Sequence, residues 1–152
     1  MNRPRTQNRP GFTLLETISV LVILGVLAAV AVAAMTSNDT VKSAAEIQTL
    51  KGHLRFAQYK SMSDTVPWGL DIQAGSYTLL RDGADASIYL PGEDSNTHTF
   101  PESLTLSGDL GIYSFDLRGI PYRGGTKLAS DASLSLPDAP AVTITRETGF
   151  IP

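Results

Sequence analysis

From Ile18 to Met35 every residue is apolar except Ser19 and Gly25, and no charge stands between Glu16 and Asp39. A hydrocarbon core about 30 Å thick takes roughly 20 helical residues at about 1.5 Å each. Phe12 to Met35 supplies 24. A buried helix of a water-soluble domain would keep a polar stripe at a period near 3.6, and none runs between Val20 and Met35. Arg3, Arg5 and Arg9 precede the span with no acid among them. Basic residues hold their flank in the cytoplasm, so the remainder is expected on the far side of the membrane. The segment predicts a single-pass or exported protein.

Two kinds of N-terminus fit such a span. An ordinary secretory signal ends in a small-residue cleavage site, which Ala29-Val30-Ala31 or Ala31-Val32-Ala33 would supply. That reading makes the chain a secreted or membrane-anchored β-domain binding protein or enzyme. Glu16 argues otherwise, since a carboxylate carried deep into lipid costs a few kcal/mol, about 2.5–3.5 on insertion scales. The run Gly11-Phe12-Thr13-Leu14-Leu15-Glu16 resembles the type IV pilins and the pseudopilins of type II secretion. Their precursors carry a short basic leader ending in Gly, then Phe, then Thr-Leu-x-Glu, then a long apolar helix.

The resemblance implies cleavage after Gly11 by a prepilin peptidase/N-methyltransferase, methylation of the new terminus at Phe12, and an assembly role for Glu16. It also implies as partners other pilins or pseudopilins in a filament and an inner-membrane assembly platform, with no cofactor. The precursor would sit in the inner membrane, N-terminus cytoplasmic and C-terminal domain periplasmic, before entering a pilus or pseudopilus. Pro10, directly before the cleavage glycine, departs from the family pattern and bears on processing rate. The lack of a proline early in the apolar helix and the absence of a C-terminal cysteine pair count against a major adhesive pilin more than against a minor one.

The motif's chemistry can also be argued from its residues. Glycine before the cut leaves the scissile carbonyl unshielded by a Cβ. Cleavage creates an ammonium on Phe12, and Glu16 follows about one helical turn later, roughly 6 Å along the axis. In a bundle of helices displaced by one subunit, the carboxylate of one chain reaches the ammonium of the next. Each partner alone would be a stranded charge in lipid, so the pair acts as a register device. The plainer alternative is a Glu16 that only snorkels to the interface.

Past the membrane the helical pattern continues. Val41, Ala44, Ala45, Ile47, Leu50, Leu54 and Ala57 recur at steps of three and four, and no proline occurs from Phe12 through Val66. One helix to about Met62 is predicted, softened by the polar patch from Thr36 to Thr40. Strands are expected at Trp68 to Ile72, Tyr77 to Leu80, Ala86 to Leu90, Thr97 to Phe100, Leu104 to Leu106, Ile112 to Phe115, Leu134 to Leu136 and Val142 to Thr145, with a closing strand at Gly149 to Ile151. The expected fold is α+β: a long N-terminal helix packed against a C-terminal antiparallel β-sheet domain, the pilin fold. Its expected parts are a leader at 1–11, a membrane or filament-core helix at 12–36, an amphipathic helix at 37–63 and a periplasmic β domain at 64–152.

Two stretches in the second half carry a further resemblance. Phe115-Asp116-Leu117-Arg118-Gly119-Ile120-Pro121-Tyr122 and Ile144-Thr145-Arg146-Glu147-Thr148-Gly149-Phe150-Ile151 are similar to hairpin patterns of GspH/FimT-like minor pseudopilins and of MSHA-type pilins. Their glycines also have a local reading, as turn residues with positive φ.

Several chemistries are disfavoured. From Asp64 onward five bases face 12 acids, a net −7, so this half should repel nucleic acid. Cysteine is absent, which removes disulfides, thiolate zinc sites and a Cys nucleophile. His98 reads as a solvated strand residue and His53 as a surface or groove residue of the helix. The acidic loop Gly92 to Asn96 reads as a solvated turn rather than a calcium site, for want of EF-hand spacing. No catalytic constellation and no metal site is expected.

Overall fold

The computed structural model describes residues 13–152. A single helix, α1 (Leu14–Ser63), precedes ten short strands. They are β1 (Trp68–Ile72), β2 (Ser76–Arg81), β3 (Ala84–Asp85), β4 (Thr97–Thr99), β5 (Ser107–Gly108), β6 (Gly111–Phe115), β7 (Pro121–Arg123), β8 (Thr126–Lys127), β9 (Ala132–Ser135) and β10 (Val142–Ile144). The chain divides into two compact units that part between Asn38 and Asp39.

In the first unit, α1 is exposed along its whole apolar stretch, Leu14–Val32. Leu14, Leu21 and Val32 are 80%, 63% and 68% exposed. Burial of a Val, Leu or Ile side chain is worth about 1.5–3 kcal/mol, so a helix of this composition is stable only with lipid or other apolar helices around it. By length and composition it can cross a membrane.

In the second unit, the stripe Ser43, Ile47, Leu50, Leu54, Ala57 and Ser61 of α1 is buried, with His53 buried beside it. The steps alternate four and three, so one stripe faces the sheets over five turns. This corrects the predicted face at its start: Val41, Ala44 and Ala45 are exposed, and Ser43 takes their place. The 3.5-residue period decides which side is covered, and it outweighs the apolar character of single residues. Ser61 is tolerated in the interior because its hydroxyl accepts from the Trp68 N–H at 2.6 Å and lies 3.1 Å from the Trp68 carbonyl.

The larger sheet has the order β3-β2-β1-β6-β7-β8, with β4 pairing β2 beside β3. The smaller has the order β10-β9-β5, and every pairing in both is antiparallel. Strand β1 lies at the centre, with Leu70 opposite Leu79 on one side and Tyr113 on the other. Leu70, Ile72, Tyr77, Leu79, Tyr113 and Phe115 form one core with the α1 stripe and with Leu134, Val142 and Ile144 of the smaller sheet. The α+β architecture, an N-terminal helix followed by an antiparallel β domain, is the one predicted.

Some predicted strands are not strands. Residues 86–90 and 104–106 are irregular, although Ala86, Leu90, Leu104 and Leu106 are all buried. Their backbone is satisfied locally instead: Ala86 N–H donates to the Leu79 carbonyl, Leu90 N–H to Ser95, and Leu106 N–H to Ala74. Buried leucines two apart imitate the period of a strand without one. The expected closing strand at Gly149 to Ile151 is a tight loop, in which Gly149 N–H donates to the Thr145 carbonyl at 2.7 Å and Thr145 N–H to that of Phe150 at 3.0 Å. Conversely, the β7–β8 hairpin lies outside the predicted set. Its signal was Gly124-Gly125, whose φ values of +56° and +80° form the two-residue turn that such hairpins require.

Candidate functional site

The residues singled out at the N-terminus divide between described and undescribed parts. Gly11 and Phe12 lie outside the described residues. Glu16 stands exposed in the first turn of α1. Thr13 caps that turn: its Oγ1 accepts from the Glu16 N–H at 3.2 Å, and its carbonyl accepts from the Thr17 N–H, also at 3.2 Å. Thr13 and Glu16 have the spacing of a capping box. An acid in the first turn also meets the positive end of the helix dipole. Thr17 and Ser19, the polar residues just inside the apolar run, turn their hydroxyls back to the Thr13 and Leu15 carbonyls at 3.4 and 2.8 Å. Their polarity is thereby satisfied within the helix. What stays outward is one carboxylate above a continuous apolar surface.

At the other end of α1, Gln58 joins the two hairpin motifs of the second half. Its Nε2 donates toward the carbonyls of Gly119 at 2.9 Å, and of Thr148 and Gly149, both at 3.1 Å. One turn earlier, Arg55 donates from Nε and Nη2 to the Ile151 carbonyl at 3.1 and 2.9 Å. Asp116 shapes the first motif by accepting at Oδ1 from the N–H groups of Arg118 and Ile120, at 2.8 and 2.9 Å. Partial burial acts to raise the Asp116 pKa, but these hydrogen bonds and the Arg118 charge outweigh it and hold it low. The glycine reading stands for both motifs, since Gly119 has φ +81° and Gly149 φ +66°.

His98 lies in a strand, β4, as expected, but both histidines are more buried than the sequence suggested. His53 is buried, with Nδ1 2.7 Å from the Tyr77 hydroxyl and Nε2 3.0 Å from the Pro91 carbonyl. Burial is the main cause that lowers its pKa from the usual value. His98, expected to be solvated, has a side chain only 12% exposed and is held between two carboxylates. Nε2 is 2.7 Å from Glu46 Oε2, and Nδ1 is 2.7 Å from Glu93 Oε1. Its ring stacks on Tyr77, centroids 5.0 Å apart, and meets Phe100 edge-on at 5.5 Å. The acidic loop is therefore more than a solvated turn, because Glu93 reaches His98 and Asn96 Nδ2 donates to the Ala86 carbonyl at 3.1 Å. The signal for this cluster was the two-turn spacing of Glu46 and His53 on α1. Among the described residues, no group of three or more His, Asp or Glu side chains is arranged to hold a metal ion.

The bases that could have formed a nucleic-acid patch are individually paired: Arg118 with Asp116 at 3.5 Å, Arg123 with Asp109 at 3.0 Å, and Lys127 with Glu147 at 3.1 Å.

No curated protein and no solved structure matches the chain. Residues 6–32 match the family model of the prokaryotic N-terminal methylation motif. The match takes in Gly11, Phe12, the Thr13 cap, Glu16 and the exposed apolar helix as far as Val32. The chain carries a type IV pilin-like prepilin signal, of the kind that marks a protein for prepilin peptidase and for assembly with other pilins.

Proposed function

We propose that the protein is a minor pilin or pseudopilin, a structural subunit of a type IV pilus or a type II secretion pseudopilus. The observation that carries this reading is the methylation motif at the head of an apolar helix whose whole length from Leu14 to Val32 is exposed. The precursor is stored in the inner membrane with its N-terminus in the cytoplasm. Prepilin peptidase/N-methyltransferase cuts after Gly11 and methylates Phe12, and the assembly platform moves the helix from lipid into a bundle of like helices. The protein works by assembly rather than catalysis. Support for a GspH/FimT-type or MSHA-type subunit comes from the two hairpin motifs, which converge on one side chain, Gln58.

In this account Glu16 pairs with the Phe12 ammonium of a neighbouring subunit. The Thr13 cap lies beyond the cut and stays on the mature chain, so the first turn survives processing. Glu16→Ala leaves the neighbour's ammonium unpaired, and breaking a buried pair costs about 3–5 kcal/mol. The variant should be cut and membrane-resident but absent from filaments, as measured by cross-linking to partner pilins. Incorporation equal to wild type would leave Glu16 as a residue that only snorkels to the interface and would remove the register role.

A further inference from the structure

Along β6, Tyr113 and Phe115 are buried in the core, so Ser114 between them and Asp116 just past the strand's end lie on the outer face of the larger sheet. Tyr122 of β7 stands opposite Ser114 on that face. Beside them lies a trough of about 230 Å³, bounded by Pro67, Phe115 and Tyr122, by Ser114 and Asp116, and by Gly125 of the β7–β8 turn. Its lining is chiefly apolar. Small-molecule sites enclose about 300–1,000 Å³, so this one has room for a single long side chain.

One charged group lines the trough. Asp116 Oδ1 is fixed by the N–H groups of Arg118 and Ile120, which leaves Oδ2 to the Arg118 guanidinium. That contact is 3.5 Å long and the Arg118 side chain is 77% exposed, so the internal cation is loosely held. The carboxylate is charged at neutral pH, since its pKa lies below the ordinary value. From Asp64 onward five bases face 12 acids, so the surrounding field attracts positive charge.

Lysine and arginine each carry a charged head on an apolar stem. The stem suits Pro67, Phe115 and Tyr122, and the head suits Asp116 Oδ2 with Ser114 beside it. A cation is also drawn to the face of a tyrosine ring. A wholly apolar side chain would strip water from the carboxylate without pairing it, and an anionic one would be repelled. We propose that the trough at the β6–β7 corner binds an arginine or lysine side chain presented by a partner protein, which displaces Arg118 from Asp116. Such binding needs only the outer face of the sheet and is independent of the filament reading.

The test titrates the full chain in neutral detergent micelles with N-acetylarginine amide, and with N-acetylcitrulline amide as its uncharged isostere, following backbone amide NMR shifts. The arginine compound should give saturable shifts at Ser114, Asp116, Tyr122 and Gly125, with none in β9 or β10. The citrulline compound should bind about tenfold more weakly, the size of one charge-assisted hydrogen bond. Arg118→Ala removes the internal competitor and should tighten binding of the arginine compound at the same residues. Asp116→Asn keeps an acceptor for the loop N–H groups and loses the charge, so it should bind both compounds equally. Equal binding of the two by the wild-type chain would overturn the proposal in favour of an apolar occupant. So would shifts scattered over the acidic surface without saturation, an absence of shifts, or an Arg118→Ala variant that binds no more tightly than wild type.

Discussion

Gly149 lies so close to the Gly119 carbonyl oxygen that any Cβ at position 149 would run into it. This contact, bridged by Gln58, closes the end of the chain onto α1 beside the loop after β6. Gly149 also has φ +66°, so both space and backbone exclude a side chain.

Gly149→Ala should therefore destabilise the second unit by about 2 kcal/mol or more, combining backbone strain with overpacking. For a unit of this size that is a fall in melting temperature of about 8 °C or more. Gly75→Ala is the control. A Cβ there meets nothing within 4 Å, and the expected change is within about 0.5 kcal/mol. Equal melting temperatures for the two variants would contradict the closure described.

Asp64 predicts an acid-sensitive start to β1. Its carboxylate accepts from the Thr65 N–H at 2.7 Å, the Trp68 indole at 2.9 Å and Arg81 Nε at 3.2 Å. These bonds, the Thr65 one foremost, pull its pKa from 3.8 to about 2. The folded value is below the unfolded one, so the stabilisation is complete above about pH 4 and is lost as pH falls toward 2. Denaturant unfolding of wild type and Asp64→Asn should differ at neutral pH and converge toward pH 2. A constant difference would contradict this role.

His53 should titrate below the ordinary histidine value of about 6.5, because burial penalises its charged form. As pH falls below about 6.5 the unfolded chain takes up a proton that the folded ring resists, so this contribution to stability declines. A ring ¹⁵N titration of the full chain should give a His53 midpoint under the ordinary value. A midpoint above it would mean the ring is not held as a neutral donor to Pro91.

The paired bases predict indifference to DNA. Non-specific attraction to phosphate comes from Lys and Arg free to release counterions, and Arg118, Arg123 and Lys127 each already face a carboxylate. Full-chain protein in neutral detergent should not retard duplex DNA at physiological salt. Retardation that weakens steeply with added salt would point instead to a DNA-uptake subunit.

Much of this molecule is legible in its sequence, and for unequal reasons. The span, the end of α1 near Met62 and strands β1, β2 and β6 follow from composition and periodicity acting over many residues. Glu16 is legible because a charge at the head of an apolar run has few plain explanations. Leu104 and Leu106 mislead because burial alternates there while their backbone bonds go to Pro101 and Ala74. His98 misleads more deeply. Its neighbours Thr97 and Thr99 suggest a solvated edge, while its partner Glu46 stands 52 positions away, and the spacing of Glu46 and His53 on α1 does not say which strand residue they meet. The convergence of Gly119, Gly149 and Gln58 is hidden in the same way, although each glycine alone announces a turn.

The most direct test of the filament-subunit account is the mass of the mature N-terminal peptide from cells that make prepilin peptidase. The account predicts a chain beginning at Phe12 with a methylated amino group, and a full-length precursor accumulating in the membrane when Gly11→Val puts a branched side chain at the scissile carbonyl. A mature chain beginning near Met35, made equally well by the Gly11→Val variant, would contradict it and identify an ordinary secretory signal.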